Sequence, residues 1–194
     1  MAFSKTTFND LKLSLAYRYG ETAIPSSGDS NRNFWLNKAV QYMANKIGLV
    51  KKTSLTVSSG SVSLPDDFVS PVKLKDSDDS VFTQVDQEDY DSDVGNTYTI
   101  EGNQTDGWTL YASSDGTYTL FYKYRPEDMS SDSDVCVIPD GEAVVAYAYG
   151  MLRKSETDPL GDAGSALQEA ESRLAKMIRD YQETDKRLTF TFLK

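Results

Sequence analysis

The sequence predicts an α+β protein: a four-helix core bundle with an inserted small antiparallel β domain and an extended C-terminal strand. Apolar residues recur every three or four positions near both ends of the chain and every second position in the middle. The final residues return to a period of two. We therefore expect a helical core from residues 1–52 and 138–187, a β-rich acidic insertion over 53–137, and a C-terminal tail over 188–194.

Two helices are predicted in the first part of the chain. Thr7, followed three residues later by Asp10, matches a capping box at the start of the first helix. Gly20 and Gly48 stand where each helix is expected to end. The apolar faces comprise Phe8, Leu11 and Leu15 in the first helix, and Phe34, Trp35, Ala39, Tyr42, Met43 and Ile47 in the second.

The middle of the chain predicts about six short antiparallel strands. A hairpin is expected around Ser58-Ser59-Gly60, because apolar residues alternate with polar ones on both sides of this turn. Glycine, asparagine and aspartate separate the later segments. The further strands are expected at Asp67–Leu74, Ser80–Val85, Tyr98–Glu101, Trp108–Ala112 and Tyr118–Tyr124.

Helical periodicity returns after Ile138-Pro139-Asp140. The first helix there is rich in alanine and carries Gly150, so neighbouring helices can approach it closely. The last helix is expected to begin near Asp158 or Ser165. Its apolar stripe is Leu167, Ala170, Leu174, Met177, Ile178 and Tyr181.

The tail is predicted to be a two-faced strand. Leu188, Phe190 and Phe192 alternate with Thr189 and Thr191, so three large apolar side chains share one face. Their burial would contribute roughly 5–9 kcal/mol before ordering costs. Such a strand either packs back on its own subunit or docks on another chain, and both alternatives are open at this point.

The composition excludes most catalytic mechanisms. The 194 residues carry a formal net charge of −10 and contain no histidine, so no histidine-based relay or imidazole metal site can be built. Cys136 is the only cysteine, lies among apolar residues, and is expected to be a small buried hydrophobe. No glycine-rich phosphate loop is present. We predict no enzyme activity and no catalytic residue, cofactor or metal site.

Charge divides along the chain. Residues 66–140 hold 18 acidic and four basic residues, whereas the remainder is mildly basic. Acidic loops keep a protein solvated, and they also repel phosphate backbones. Asp89, Asp91 and Asp93 have a spacing that calcium loops use, but Val94 and Ile100 stand where the glycine and glutamate ligand positions would be. We therefore predict solvated acidic loops over residues 76–93.

The sequence also predicts no membrane association. No run reaches the roughly 18 apolar residues of a spanning helix. The N-terminal residues lack the apolar stretch of a secretory signal, so we expect synthesis in the cytoplasm.

Aromatic residues are dense in the insertion and suggest an alternative function. A soluble binding module could use them to stack on a carbohydrate or small ligand, although alternation on strands makes half of them core. These residues are Tyr98, Trp108, Tyr111, Tyr118, Phe121, Tyr122 and Tyr124.

The order of segments resembles the head-to-tail adaptor (connector) proteins of tailed bacteriophages. The likeness spans about Ser30 to Tyr181, and the order and spacing of its motifs carry it. These motifs are Trp35-Leu36-Asn37-Lys38-Ala39, Leu64-Pro65-Asp66-Asp67-Phe68-Val69, Tyr98-Thr99-Ile100-Glu101-Gly102, Trp108-Thr109-Leu110, Tyr118–Pro126 and Ile138-Pro139-Asp140.

The resemblance implies a structural virion protein at the head–tail junction. Such proteins form a homo-oligomeric ring, usually a dodecamer, that joins the portal protein to tail or nozzle proteins, and DNA passes through without sequence-specific binding. It also implies that a C-terminal extension docks on the portal, a role that Leu188, Thr189, Phe190, Thr191, Phe192 and Leu193 fit. Trp35, Tyr147 and Leu174 are the residues expected to pack the core and the ring.

Overall fold

The computed structural model describes residues 5–24, 30–156 and 161–191, with side chains as far as residue 182. The chain divides into two compact units. A helical unit comprises Met1–Ile47 and Pro126–Lys194, and a β unit comprises Gly48–Arg125.

The helical unit is arranged around one central helix. Helix α3 packs against each of the other three helices. Nine of its 15 residues are buried, and alanine, valine and glycine predominate among them. Small side chains let several neighbours approach the same helix. The helices are α1, Phe8–Arg18; α2, Ser30–Ile47; α3, Gly141–Ser155; and α4, Ala163–Thr191.

Helix α1 begins as the sequence predicts. The Thr7 side chain accepts a hydrogen bond from the Asp10 backbone N–H, and the Asp10 carboxylate accepts one from the Thr7 backbone N–H at 2.8 Å. These reciprocal bonds satisfy two N–H groups that a helix start leaves without partners. The predicted capping box is confirmed.

The segment that enters α3 is held by α1 and α2. The backbone N–H of Phe8 donates to the Asp134 carbonyl at 2.8 Å. On α2, the Asn37 side chain both donates to the Met129 carbonyl and accepts from the Met129 N–H. Residues 126–140 are therefore fixed without regular secondary structure, because side chains and neighbouring backbone satisfy their polar groups.

Ion pairs connect the ends of three helices. Arg18 of α1 binds the Glu169 carboxylate of α4 through both terminal guanidinium nitrogens, each at 3.0 Å. Arg173 also binds Glu169, and it reaches Asp140, the N-cap of α3, at 3.0 Å. The bidentate geometry fixes the direction of the Arg18 guanidinium as well as neutralising its charge, and Arg173 bridges two carboxylates from different elements.

The β unit contains a seven-stranded mixed sheet. The strands are β1, Val50–Val57; β2, Ser61–Ser63; β3, Phe68–Lys75; β4, Val81–Gln84; β5, Thr97–Asn103; β6, Gly107–Ala112; and β7, Gly116–Tyr124. Their order is β1-β7-β3-β4-β5-β6-β2. β4 and β5 pair in parallel, and every other pair is antiparallel.

The predicted β1–β2 hairpin is wrong as a strand pair. β1 pairs with β7, and β2 pairs with β6, so the two segments stand at opposite ends of the strand order. Only the bridge between Ser58 and Ser61 joins them, at the turn. This turn brings the ends of the sheet together, so the sheet comes close to a barrel.

The β unit has its own hydrophobic core. Leu74, Leu110 and Leu120 are fully buried there, and Tyr118 and Tyr122 are nearly so. Buried residues alternate with outward-facing ones along β7, as expected of a strand with one face on a core.

The predicted fold class is therefore wrong in two respects. The β part is not a small antiparallel domain inserted in a four-helix bundle, but a mixed, nearly closed seven-stranded sheet with its own core. The predicted C-terminal strand is also wrong as far as Thr191, because Leu188–Thr191 continue helix α4. Phe192, Leu193 and Lys194 lie outside the described residues.

The close contact of α3 with α4 predicts opposite effects for two glycine-to-alanine substitutions. A Cβ on Gly150 would lie 2.7 Å from Leu167 Cγ and 3.1 Å from the Ala163 carbonyl oxygen, whereas a Cβ on Gly164 would meet nothing within 4 Å. Gly150→Ala should lower the free energy of unfolding by about 1–3 kcal/mol. Gly164→Ala should raise it by about 0.4–1 kcal/mol.

Chemical denaturation of both variants checks this prediction. The two variants add the same methyl group to a helix, so Gly164→Ala is the matched control. Equal effects of the two substitutions would show that the contact at Gly150 does not limit the approach of α4.

Candidate interaction surfaces

Helix α4 extends well beyond the last residue whose side chain is described as buried. Its 29 residues span about 43 Å, and Leu174 is the last buried residue among those whose side chains are described. Residues 175–191 continue for about 25 Å beyond it. Met177 and Ile178 are half-buried, and Tyr181 is 37 % exposed. The apolar stripe of α4 therefore runs from the core of the helical unit onto an exposed stretch of helix.

The segment expected to dock on a partner lies at the end of this helix. Leu188, Thr189, Phe190 and Thr191 are helical, and Phe192 and Leu193 lie outside the described residues. The alternation of apolar residues suggested a strand, but a strand requires a neighbouring strand to satisfy its backbone. Extending an existing helix adds one internal hydrogen bond per residue without a new nucleation step. The helix therefore prevails over the local pattern.

The three residues expected to pack the core and the ring have different surroundings. Leu174 is buried at 2 % exposure. Trp35 is half-buried and contacts Phe34 edge to face, with ring centroids 5.3 Å apart. Phe34 was predicted to lie on the apolar face of α2, yet it is 49 % exposed. The buried residues of α2 lie on the opposite side of the helix, because Phe34 and buried Met43 are nine residues, or about 180°, apart around the axis.

Tyr147 belongs to a polar–aromatic cluster on three helices. It stacks on Tyr42 with ring centroids 4.7 Å apart, and the Tyr42 hydroxyl donates to Glu171 of α4 at 2.7 Å. The hydrogen bond to Glu171, together with partial burial, raises the pKa of Tyr42 to about 12. The cluster thus links α2, α3 and α4 through one stacked pair and one charge-assisted hydrogen bond.

A second cluster surrounds Arg153 at the end of α3. Arg153 is only 8 % exposed, and its Nε donates to Asp162 at 3.3 Å. Tyr149 donates to the same carboxylate at 2.5 Å and packs edge to face on Tyr19. The Arg32 guanidinium lies 4.5 Å from the Tyr19 ring centroid. A buried cation needs such partners, since an unpaired one would be costly.

The aromatic residues of the β unit mostly form its core. Tyr98, Tyr118 and Tyr122 are buried, and Trp108 and Tyr124 pack against the same cluster. This leaves half-buried Tyr111 and Phe121 as candidates for stacking on a ligand. The binding-module hypothesis requires an exposed aromatic surface. The five residues that form or pack against the core do not supply one.

Potential metal ligands are dispersed in the part of the chain that the structure describes. No three acidic or cysteine side chains there converge as metal ligands. Asp76 and Asp91 instead accept hydrogen bonds from backbone N–H groups of their own turns. Cys136 is buried as predicted, and burial raises the pKa of its thiol. No described helix is long and apolar enough to cross a membrane.

Comparison with protein families decides the class of the protein. A family model for the SU10 adaptor protein matches residues 6–191, nearly the whole chain. The chain belongs to the SU10 adaptor protein family. No curated protein matches it.

Membership of the SU10 adaptor family makes this chain a phage structural adaptor protein and a component of the virion. An adaptor acts by contacting other phage head or tail proteins, so its surfaces are its functional sites. The resemblance found in the sequence is thereby confirmed at the level of a phage adaptor.

The Asp162 interactions predict a pH dependence of stability. The hydrogen bond from Tyr149, assisted by Arg153, lowers the pKa of Asp162 below its ordinary value of 3.8. A depressed pKa stabilises the folded state above pH 3.8, and this contribution is lost as the pH falls through the folded-state pKa. Asp162→Asn should therefore lower stability at pH 7, and its difference from wild type should shrink with acidification.

Thermal unfolding of both proteins between pH 7 and pH 2 measures this difference. Asp93→Asn is the control, since Asp93 is exposed and forms no ion pair with any described residue. A difference that stays constant over the pH range would show that the ionised carboxylate contributes nothing.

Proposed function

We propose that the protein is a head-to-tail adaptor that assembles as a ring between the portal and the tail, around the channel for DNA. The observation that carries the proposal is helix α4, which continues for about 25 Å beyond its last described buried residue. In this stretch, Met177 and Ile178 are half-buried and Tyr181 is 37 % exposed, so its apolar residues call for another surface. The portal is the proposed partner, and tail or nozzle proteins are the partners on the opposite side.

The C-terminal residues are the proposed docking segment. Leu188, Phe190 and Phe192 are large apolar residues that follow a charged stretch at residues 183–187. A docking helix places anchors three or four residues apart in a groove of its partner. Leu188 and Phe192 have this spacing. Each contact can be weak, because a ring presents all its copies to the portal at once.

The charge of the β unit supports passage of DNA without retention. Residues 48–125 carry 13 acidic and six basic side chains. Such a surface repels a phosphate backbone, so DNA would slide past it rather than bind. The helical unit has mixed charges that pair with one another, as Arg18 does with Glu169.

Removal of the docking segment tests the proposed function. Deleting residues 188–194 should leave a protein with wild-type circular dichroism and thermal stability, because the last described buried residue is Leu174. Binding to portal-bearing heads should fall by at least about a hundredfold, since the anchors are lost from every copy of the ring.

Point variants distinguish the contribution of the apolar side chains from the effect of shortening the helix. Leu188→Ala with Phe192→Ala should reproduce most of the binding defect, whereas the control, Thr189→Ala with Thr191→Ala, should bind heads as wild type does. Co-sedimentation of each variant with heads measures the difference. Normal attachment of the truncated protein would contradict docking through this segment.

A further inference from the structure

Sheet pairing brings four lysines to one outer face of the β unit. Lys52 of β1 and Lys73 of β3 both stand opposite Phe121 of the strand between them, β7. Two residues from Phe121 along β7, Thr119 stands opposite Lys75 of β3. Directly opposed residues lie about 4.5–5.5 Å apart at Cβ. We call these side chains, with Lys123 of β7, the lysine face.

Burial shows that the lysine face points away from the core. Leu120 and Tyr122 alternate with Phe121 and Lys123 along β7, and only the first two are buried. Lys52 and Lys123 are exposed. Val50, opposite Lys123, is 38 % exposed, and Val81, opposite Lys75, is 52 % exposed. The surface therefore combines positive charge with exposed apolar groups.

Two of the four lysines on this face have no ion-pair partner within the described chain. Lys75 pairs with Asp79 at 2.8 Å, and Lys73 also acts electrostatically on that carboxylate. Lys52 and Lys123 form no ion pair with any described residue. The whole β unit holds only six basic residues, and four of them lie here. In a unit with 13 acidic residues, such a concentration of lysines requires an explanation.

The same unit carries a matching set of unpaired acidic residues elsewhere. The connection from β4 to β5 contains Asp86, Glu88, Asp89, Asp91 and Asp93 without any basic residue. All five are exposed, and none forms an ion pair with a described residue. The short 3-10 helix Gln87–Asp89 and a turn at Asp91 hold this acidic segment in place.

We infer that the lysine face binds the acidic segment 86–93 of a second copy of this chain. The inference rests on the proposed ring and names the surfaces that join neighbouring subunits in it. Two different patches that complement each other make a head-to-tail contact, which closes into a ring when the rotation between copies permits. Duplex DNA is the other polyanion to consider, but the surrounding acidic surface repels it.

Chemical crosslinking within assembled particles tests the contact. A carbodiimide that joins lysine amines to carboxylates without a spacer is applied to particles built from a mixture of 14N- and 15N-labelled protein. We expect mixed-isotope crosslinks from Lys52, Lys73 or Lys123 to residues 86–93. A ring at the head–tail junction without these crosslinks would overturn this inference alone, whereas a particle without the protein at that junction would contradict the proposed function.

Charge reversal provides a second, independent test. Lys52→Glu with Lys123→Glu should reduce incorporation into particles about tenfold or more, and so should Glu88→Lys with Asp93→Lys. The variant with all four changes should regain most of the loss, because the attraction is restored with its signs exchanged. Lys5→Glu with Lys154→Glu, at exposed lysines of the helical unit, is the matched control and should assemble normally.

Two outcomes of these measurements would overturn the inference. If the two patches act separately, the variant with all four substitutions would assemble worse than the lysine double variant and worse than the acidic double variant. Alternatively, the lysine pair variant would bind duplex DNA about tenfold more weakly than wild type while entering particles normally, and the face would then be a DNA surface.

Discussion

The helical unit depends on one constraint: the buried side chains of α3 must be small enough for three helices to contact it at once. Alanine and glycine at its buried positions permit this approach, and Gly150 leaves room for Leu167 of α4. The neighbours come from both ends of the chain, so the fold forms only when residues before and after the β unit meet at α3. The ion pairs of Arg18 with Glu169 and of Arg173 with Asp140 then join α4 to α1 and to the start of α3.

Helix α4 is one continuous element that begins in the core of the helical unit. Its first half supplies Ala166, Ala170 and Leu174 to the core, and the apolar stripe continues through half-buried Met177 and Ile178 to exposed Tyr181. Because a helix is stiff over this length, the anchored half sets the direction of the rest. In the proposed docking role, a segment held in this way would cost less ordering entropy on association than a disordered tail.

Strand pairing determines where the charges of the β unit lie on its surface. Counted along the chain, residues 66–140 are simply acidic, and the four lysines lie far apart at positions 52, 73, 75 and 123. Pairing of β1 and β3 with β7 places them side by side on the outer face. An acidic chain therefore presents a basic surface next to acidic connections, an arrangement suited to contacts between identical subunits.

The sequence by itself determined the elements, many of the core residues and the class of protein. The capping box of Thr7 and Asp10, the four helices and nearly all the strands follow from local periodicity and capping, and the order of motifs identified a phage adaptor. Only the tertiary structure decided which strands pair: β1 joins β7 rather than β2, and β4 runs parallel to β5, because pairing depends on contacts between distant residues. It likewise decided that Leu188–Thr191 extend α4, since a preceding helix outweighs a two-residue period that has no strand to pair with.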